Sequence, residues 1–173
     1  MAGFKHDALA ANEGITMSSM PAHNSLSYRV WEIEKHLHPI GGTKVVPDDI
    51  TAPITLASAA VANTFGDWVE IDSGASFPYK FDPNVIYVTS VTDAARLYHI
   101  DVGAGAAGSE VVIGSCIAAK RDANRDVKEV NLNSARVDAG VRLAARVKDS
   151  EAAINSVNIF LSYHEYPNPG LNQ

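Results

Sequence analysis

The stretch Asn155-Ser-Val-Asn-Ile-Phe-Leu-Ser-Tyr-His-Glu-Tyr166 alternates along its length. Val157, Ile159, Leu161 and Tyr163 fall on one face at period two, and Asn158, Phe160, Ser162 and His164 on the other. That is the pattern of a strand with one buried face. Pro167 ends it, because proline has no amide proton to give a ladder. A strand of this kind needs neighbours, and the chain before it supplies them.

Working back from it, residues 141–147 alternate cleanly, with Val141, Leu143, Ala145 and Val147 inward and Arg142, Ala144 and Arg146 outward. Residues 127–132 form a short candidate strand and 111–119 an apolar one. In 96–102, Tyr98, Ile100 and Val102 oppose Leu97, His99 and Asp101. Residues 85–91 are rich in branched and aromatic side chains, as strands are. Further candidates are 77–81, 67–71 (Val69 and Ile71 against Trp68 and Glu70), 54–61 and 43–46. Turns are expected at 73–76 and at Asp82-Pro83-Asn84, a Gly/Ala loop at 103–109 and a polar loop at 120–125. Residues 134–138 fit either a loop or a helical turn. About eight strands, evenly spaced and without helical period between them, predict a mainly β protein. A jelly-roll-like antiparallel β-sandwich is the natural eight-stranded solution. No internal repeat is visible, which argues against a propeller or solenoid.

The first part of the chain reads differently. Residues 1–20 are poor in large aliphatics and rich in Ala, Ser, Asn and Gly, as in an extended arm or a plain disordered terminus. Residues 21–38 read as one short α-helix, because Leu26, Val30, Ile33 and Leu37 are spaced four, three and four. Pro21 suits its first turn, and Pro39 with Gly41-Gly42 stops it. A free helix of that length is marginal in water, so it must lie on its own domain, on sister subunits or on a larger surface. The expected organisation is an arm at 1–20, helix and linker at 21–42, a sandwich at 43–167 and a tail at 168–173.

Composition narrows the function. The chain has 173 residues, a net charge of −6 and a pI near 5.4, which argues against a protein built to grip nucleic acid. Cys116 is the single cysteine and lies in an apolar run, so it reads as a small buried hydrophobe. No apolar run reaches the length of a membrane-spanning helix, so no membrane partner is expected, and the first residues lack a secretory h-region, so synthesis in the cytoplasm is expected.

Residues that could carry chemistry are few. His36 and His38 lie two apart on the expected helix and so face different ways, which suits a solvated helix end better than a metal site. His99, His164 and Glu165 could suggest acid–base work, but no spacing shows a nucleophile or metal beside them. Gly103-Ala-Gly-Ala-Ala-Gly108 matches a phosphate-loop pattern, yet a strand follows it where a helix is needed. Lys120, Arg121, Arg125, Lys128 and Arg136 form a basic cluster, either a patch for an acidic partner or an ordinary loop interleaved with Asp122, Asp126 and Glu129. Trp68, Tyr79, Tyr87, Tyr98, Tyr163 and Tyr166 fit either a core or a sugar-binding face. The expectation is a protein with no catalytic residues, no metal and no cofactor.

Ser27-Tyr-Arg-Val-Trp-Glu-Ile-Glu-Lys-His-Leu-His38 resembles the opening of a group of tailed-bacteriophage virion proteins, in which a short helical arm precedes a β-sandwich. Phe65-Gly-Asp-Trp-Val-Glu-Ile71, the Phe81-Asp82 pair and the closing Phe160-Leu-Ser-Tyr-His-Glu-Tyr166 are similar to their later motifs, in the same order. The resemblance implies a structural role on the phage particle, that of a capsid decoration or cement protein on the outside of the head, with the major capsid protein as partner. The alternative is a head- or tail-fibre protein whose sandwich binds host carbohydrate. Sandwiches on a common helical stem suggest a homotrimer. The expected interface residues are Leu26, Val30, Ile33 and Leu37 on the helix, Phe4 in the arm, and Arg121 and Arg125 in the basic loop.

Overall fold

The computed structural model describes residues 43–94, 96–123 and 126–167. The expected arm, helix and tail lie outside the described residues. The rest forms nine strands: β1 (Thr43–Val46), β2 (Ile54–Ala57), β3 (Val69–Asp72), β4 (Lys80–Val91), β5 (Leu97–Ala104), β6 (Val111–Ala119), β7 (Lys128–Asn131), β8 (Leu143–Lys148) and β9 (Ser156–Tyr166). They make two antiparallel sheets. The first runs β1-β9-β4-β7, with β2 also on β9, and the second runs β3-β8-β5-β6. Among the described residues no helix is long and apolar enough to cross a membrane.

The stretch that opened the sequence reading is the spine of the first sheet. Its first half pairs with β2, Ile54 opposite Ile159, and its second half with β1, Thr43 opposite His164. The two short strands therefore share one side of β9 end to end, and β4 takes the other side along almost the full length. Pairing across the fold is nested. The first strands pair with β9, β3 with β8, β4 with β7 and β5 with β6.

The core follows from the alternation. Val157, Ile159, Leu161 and Tyr163 of β9 are buried with Ile86 and Val88 of β4, Tyr98, Ile100 and Val102 of β5, and Leu143, Ala145 and Val147 of β8. One end is closed by aromatics: the Phe77 and Phe81 rings stack 4.0 Å apart, and Tyr163 meets Phe77 edge-on at 4.9 Å. The turn before Phe77 requires Gly74, whose φ is +98° and where a Cβ would come 2.2 Å from the Gly140 carbonyl oxygen.

Three readings are corrected, and one left open is settled. Residues 77–81 are not a strand of their own, and Asp82-Pro83-Asn84 is not a turn: β4 begins only at Lys80 and runs on through Asp82-Pro83-Asn84. The ladder with β9 slips between Pro83 and Val85, so the proline sits in a bulge where its missing N–H costs nothing. The freed groups are used, since the Pro83 carbonyl accepts from Ser134 Oγ at 2.5 Å and the Asn84 carbonyl from Leu132 N at 2.7 Å. Residues 134–138 are extended rather than helical, with Val137 exchanging backbone bonds with Phe81 at 2.8 and 3.0 Å. Finally, Gly103 does not belong to the loop: it is buried within β5.

Candidate interaction surfaces

Strand alternation sends His164 to the outer face of the first sheet and His99 to the outer face of the second, because their neighbours Tyr163 and Tyr98 point into the core. The two histidines therefore face away from each other and form no common site.

Around His164 the β4 bulge places Asn84 and Asp82. Ser162 Oγ donates to Asn84 Oδ1 at 2.5 Å, which turns the Asn84 amide nitrogen toward His164 Nε2 at 3.0 Å. Nε2 faces that amide, and Nδ1 lies 3.2 Å from Asp82 Oδ1, a buried oxygen that accepts no hydrogen bond. Tyr166 donates its hydroxyl to Asp82 Oδ2 at 3.0 Å, and the Arg136 guanidinium covers the Tyr166 ring at 3.9 Å. Burial first, and then the Asp82 charge, raise the Tyr166 phenol above its ordinary value. Beside this chain, Glu165 points inward and is held by Lys44 Nζ at 2.7 Å, a bond that raises the lysine pKa.

The outer face of the second sheet carries another set. Register puts Arg146 of β8, Asp101 of β5 and Ser115 of β6 in one row. Arg146 donates to Asp101 Oδ2 through Nε at 3.2 Å and Nη2 at 3.0 Å, and Ser115 Oγ donates to Oδ1 at 2.6 Å. The guanidinium is sandwiched between Phe65 at 4.3 Å and Trp68 at 4.4 Å. Gly103 makes room for the indole: a Cβ there would lie 2.7 Å from Trp68 Cη2. At the next turn of the sheet Arg142 bridges Glu70 at 2.6 Å and Glu110 at 2.8 Å, and holds the Glu110 carboxyl below its usual range.

The expected interface residues divide as follows. Leu26, Val30, Ile33, Leu37, Phe4 and Arg125 lie outside the described residues, as do His36 and His38. Arg121 is exposed. Two members of the basic cluster around it are engaged within the chain, and Lys128 is exposed. Lys120 is 3% exposed, with Nζ donating to the Thr89 carbonyl at 2.7 Å and to the Asp126 carbonyl, so it ties the loop to β4. Arg136 lies on Tyr166. Of the aromatics, Tyr98 and Tyr163 are core, Trp68 and Tyr166 are each covered by an arginine, Tyr87 is half-buried and Tyr79 is exposed. Cys116 is buried, which pushes its thiol up to about 11. No group of three or more metal-ligating side chains forms among the described residues.

The outer face of the second sheet leaves aliphatic side chains open. Leu97 is 63% exposed and Ile117 61%, on adjacent strands β5 and β6, with Val111 and Val112 also exposed at the start of β6. Leu97, His99, Ile117 and Lys148 line an open groove of about 420 Å³ on this face. In sequence, 111–119 reads only as an apolar strand. The available signal was the absence of any charged residue in it, which is unusual for a strand that ends a sheet.

No protein-family model matches the chain, and no curated protein sequence matches it. Among solved structures, the infectious bursal disease virus Gx strain structure aligns with 74% of this chain and 33% of that chain, at 6% identity and a TM-score of 0.36. The Clostridium thermocellum xylanase 10B structure (CBM22-1 and GH10 modules with xylohexaose) aligns with 75% of this chain and 27% of that chain, at 9% identity and a TM-score of 0.34. The chain thus spans about a third or less of the length of either.

Proposed function

We propose that this chain is a structural protein of a tailed-bacteriophage particle, a capsid decoration protein that docks on the outside of the head through contacts with the major capsid protein. The observation that carries the reading is the state of the outer faces. Their charged and aromatic side chains are largely spent on one another, as in Arg146 with Asp101, Phe65 and Trp68, and His164 with Asp82 and Asn84. Aliphatic side chains are left to water on β5 and β6. Such a surface suits docking on protein better than bond-making. The nested strand pairing supports a jelly-roll reading, an architecture common to capsid and lectin domains. The ordered motifs from Ser27 to Tyr166 supply the phage particle.

In this reading Leu26, Val30, Ile33 and Leu37 join subunits into a homotrimer, Phe4 and the arm reach the neighbouring protein, and Arg121 and Arg125 meet acidic shell surface. Linked subunits then hold by effective concentration even where each contact is weak. Purified particles test it. Gel densitometry should give a copy number on the scale of the shell protein, and heads stripped of the chain should lose resistance to heat and chelators. A few copies per particle, with glycan or cell binding by the isolated chain, would instead make it a fibre protein. The covered faces of Trp68 and Tyr166 speak against that second reading. The double variant Leu26→Asp, Ile33→Asp should lose particle binding or oligomerisation while the β domain still melts cooperatively. Assembly that survives the double change removes the helix from the mechanism.

A further inference from the structure

We propose that the groove over the start of β5 is a docking site for an extended acidic segment of a partner protein, in which carboxylates alternate with aliphatic side chains. The inference rests on the reading of this chain as a docking protein and names the chemistry of what it docks on. Register sets two neighbouring rows across the outer face of the second sheet. One holds Arg146, Asp101 and Ser115, and the next holds Lys148, His99 and Ile117. The first row is complete within the chain, since buried Asp101 accepts from Arg146 on one oxygen and from Ser115 on the other. In the second row a histidine stands where the first has its acid. Among the described residues no carboxylate pairs with Lys148, and its ammonium lies over the Phe65 ring, 4.5 Å from the centroid.

The other charges that line the groove are spent. Arg96 is paired with Asp93 and Glu151. Asp149 is buried, and its carboxylate accepts from Asn155 Nδ2 at 2.8 Å and from Glu151 N at 2.9 Å. Lys148, half-buried, is left as the cation whose charge the described residues do not answer. A second groove, of about 370 Å³ beside β1, makes the contrast. It too is lined by a lysine, Lys44, but Glu165 of the same chain holds that ammonium at 2.7 Å.

The occupant follows from what the groove lacks. Lys148 calls for an anion, and the exposed Leu97 and Ile117 call for apolar cover. A small anion would leave the aliphatics in water, and a purely apolar ligand would leave the lysine unanswered, so the ligand carries both groups. The groove is open rather than enclosed, whereas a small molecule is held by burial on most sides. A chain segment fits such a surface. Laid along β5 over Leu97 and His99, an extended segment sends alternate side chains toward β8 and toward β6. One set reaches Lys148 and takes the carboxylates, and the other covers Ile117.

Fluorescence anisotropy on the full-length chain tests the site, with a labelled peptide of three Leu-Glu repeats as the probe. It should bind saturably, and peptides of Leu-Gln or Ser-Glu repeats should bind far more weakly. Lys148→Glu sets like charges together and should weaken the Leu-Glu peptide by at least about tenfold, as should Ile117→Ser, while Lys148→Arg keeps the affinity. If a variant fails to fold, the comparison of peptides on wild type decides. No saturable binding of the Leu-Glu peptide, equal binding of the Leu-Gln peptide, or an affinity that a folded Lys148→Glu leaves unchanged overturns the proposal. Phage heads separate it from the reading it rests on. Heads that take up Lys148→Glu as readily as wild type remove the groove from docking and leave the docking role standing. If wild type itself fails to bind heads, that role falls, and the peptide series decides the groove by itself.

Discussion

At the scale of single residues, the side chains whose roles differ most from their sequence appearance are the ones whose partners are backbone. Lys120 sits in a run of charged loop residues, yet its ammonium is buried against the carbonyls of Thr89 and Asp126. Lys120→Met would keep the length of the stem and leave two carbonyls without a donor. The expected loss is about 2–3 kcal/mol, the scale for an unsatisfied group that had bonded a charge. Arg121→Ala, one position on and exposed, should stay within about 0.5 kcal/mol. Urea unfolding of the two variants checks the contrast, and equal effects would mean the buried tie is not what holds the loop. Gly103 makes a similar case from the opposite direction. A methyl group there meets Trp68 Cη2 at 2.7 Å and Cζ3 at 3.0 Å. Gly103→Ala should push the indole off Arg146 and cost about 1–3 kcal/mol, with a changed tryptophan emission. A silent emission spectrum would show that the ring had room to give.

At the scale of elements, strand identity was legible and strand context was not. Residues 111–119 coincide with β6, and the inward sets of β5, β8 and β9 were readable because period-two alternation is local. The Asp82-Pro83-Asn84 reading failed because these residues do favour turns, and a bulge exists only relative to a partner strand. The row Arg146–Asp101–Ser115 was hidden for the same reason, since it is created by register across three strands distant in sequence. Register also makes the Glu110–Arg142 bond, which joins the segments leading into β6 and β8. Arg142 holds Glu110 below the ordinary 4.5 of its carboxyl. A depressed carboxyl contributes stability that is present above its unfolded value and lost as pH falls through the folded one. Wild type should therefore exceed Glu110→Gln in stability at neutral pH, and the gap should close on acidification below about 4.5. Urea midpoints at stepped pH measure it. A gap that persists unchanged in acid would assign the effect to packing rather than to charge.

At the scale of the whole domain, nesting orders the contacts by distance along the chain. β5 and β6 are joined by a short loop, whereas Thr43 lies opposite His164 and Ile54 opposite Ile159, nearly the whole domain away. Closing a long loop costs more entropy than closing a short one, and many-residue separations slow folding. The inner pair of the nest, β5 with β6 and then β8, should accordingly form before the outer pair of β9 with the first strands. Matched substitutions probe this without changing chemistry. Ile100 in β5 and Ile159 in β9 are both fully buried, and Ile→Val at either should cost about 0.5–1.5 kcal/mol. In chevron plots Ile100→Val should act mainly by slowing refolding, and Ile159→Val mainly by speeding unfolding. The main refolding phase should fall on the order of milliseconds to seconds, as in domains dominated by non-local strand pairing. If Ile159→Val slows refolding as much as Ile100→Val does, β9 is already in place at the barrier. The strand that anchors the first sheet would then be an early nucleus rather than the last element to dock.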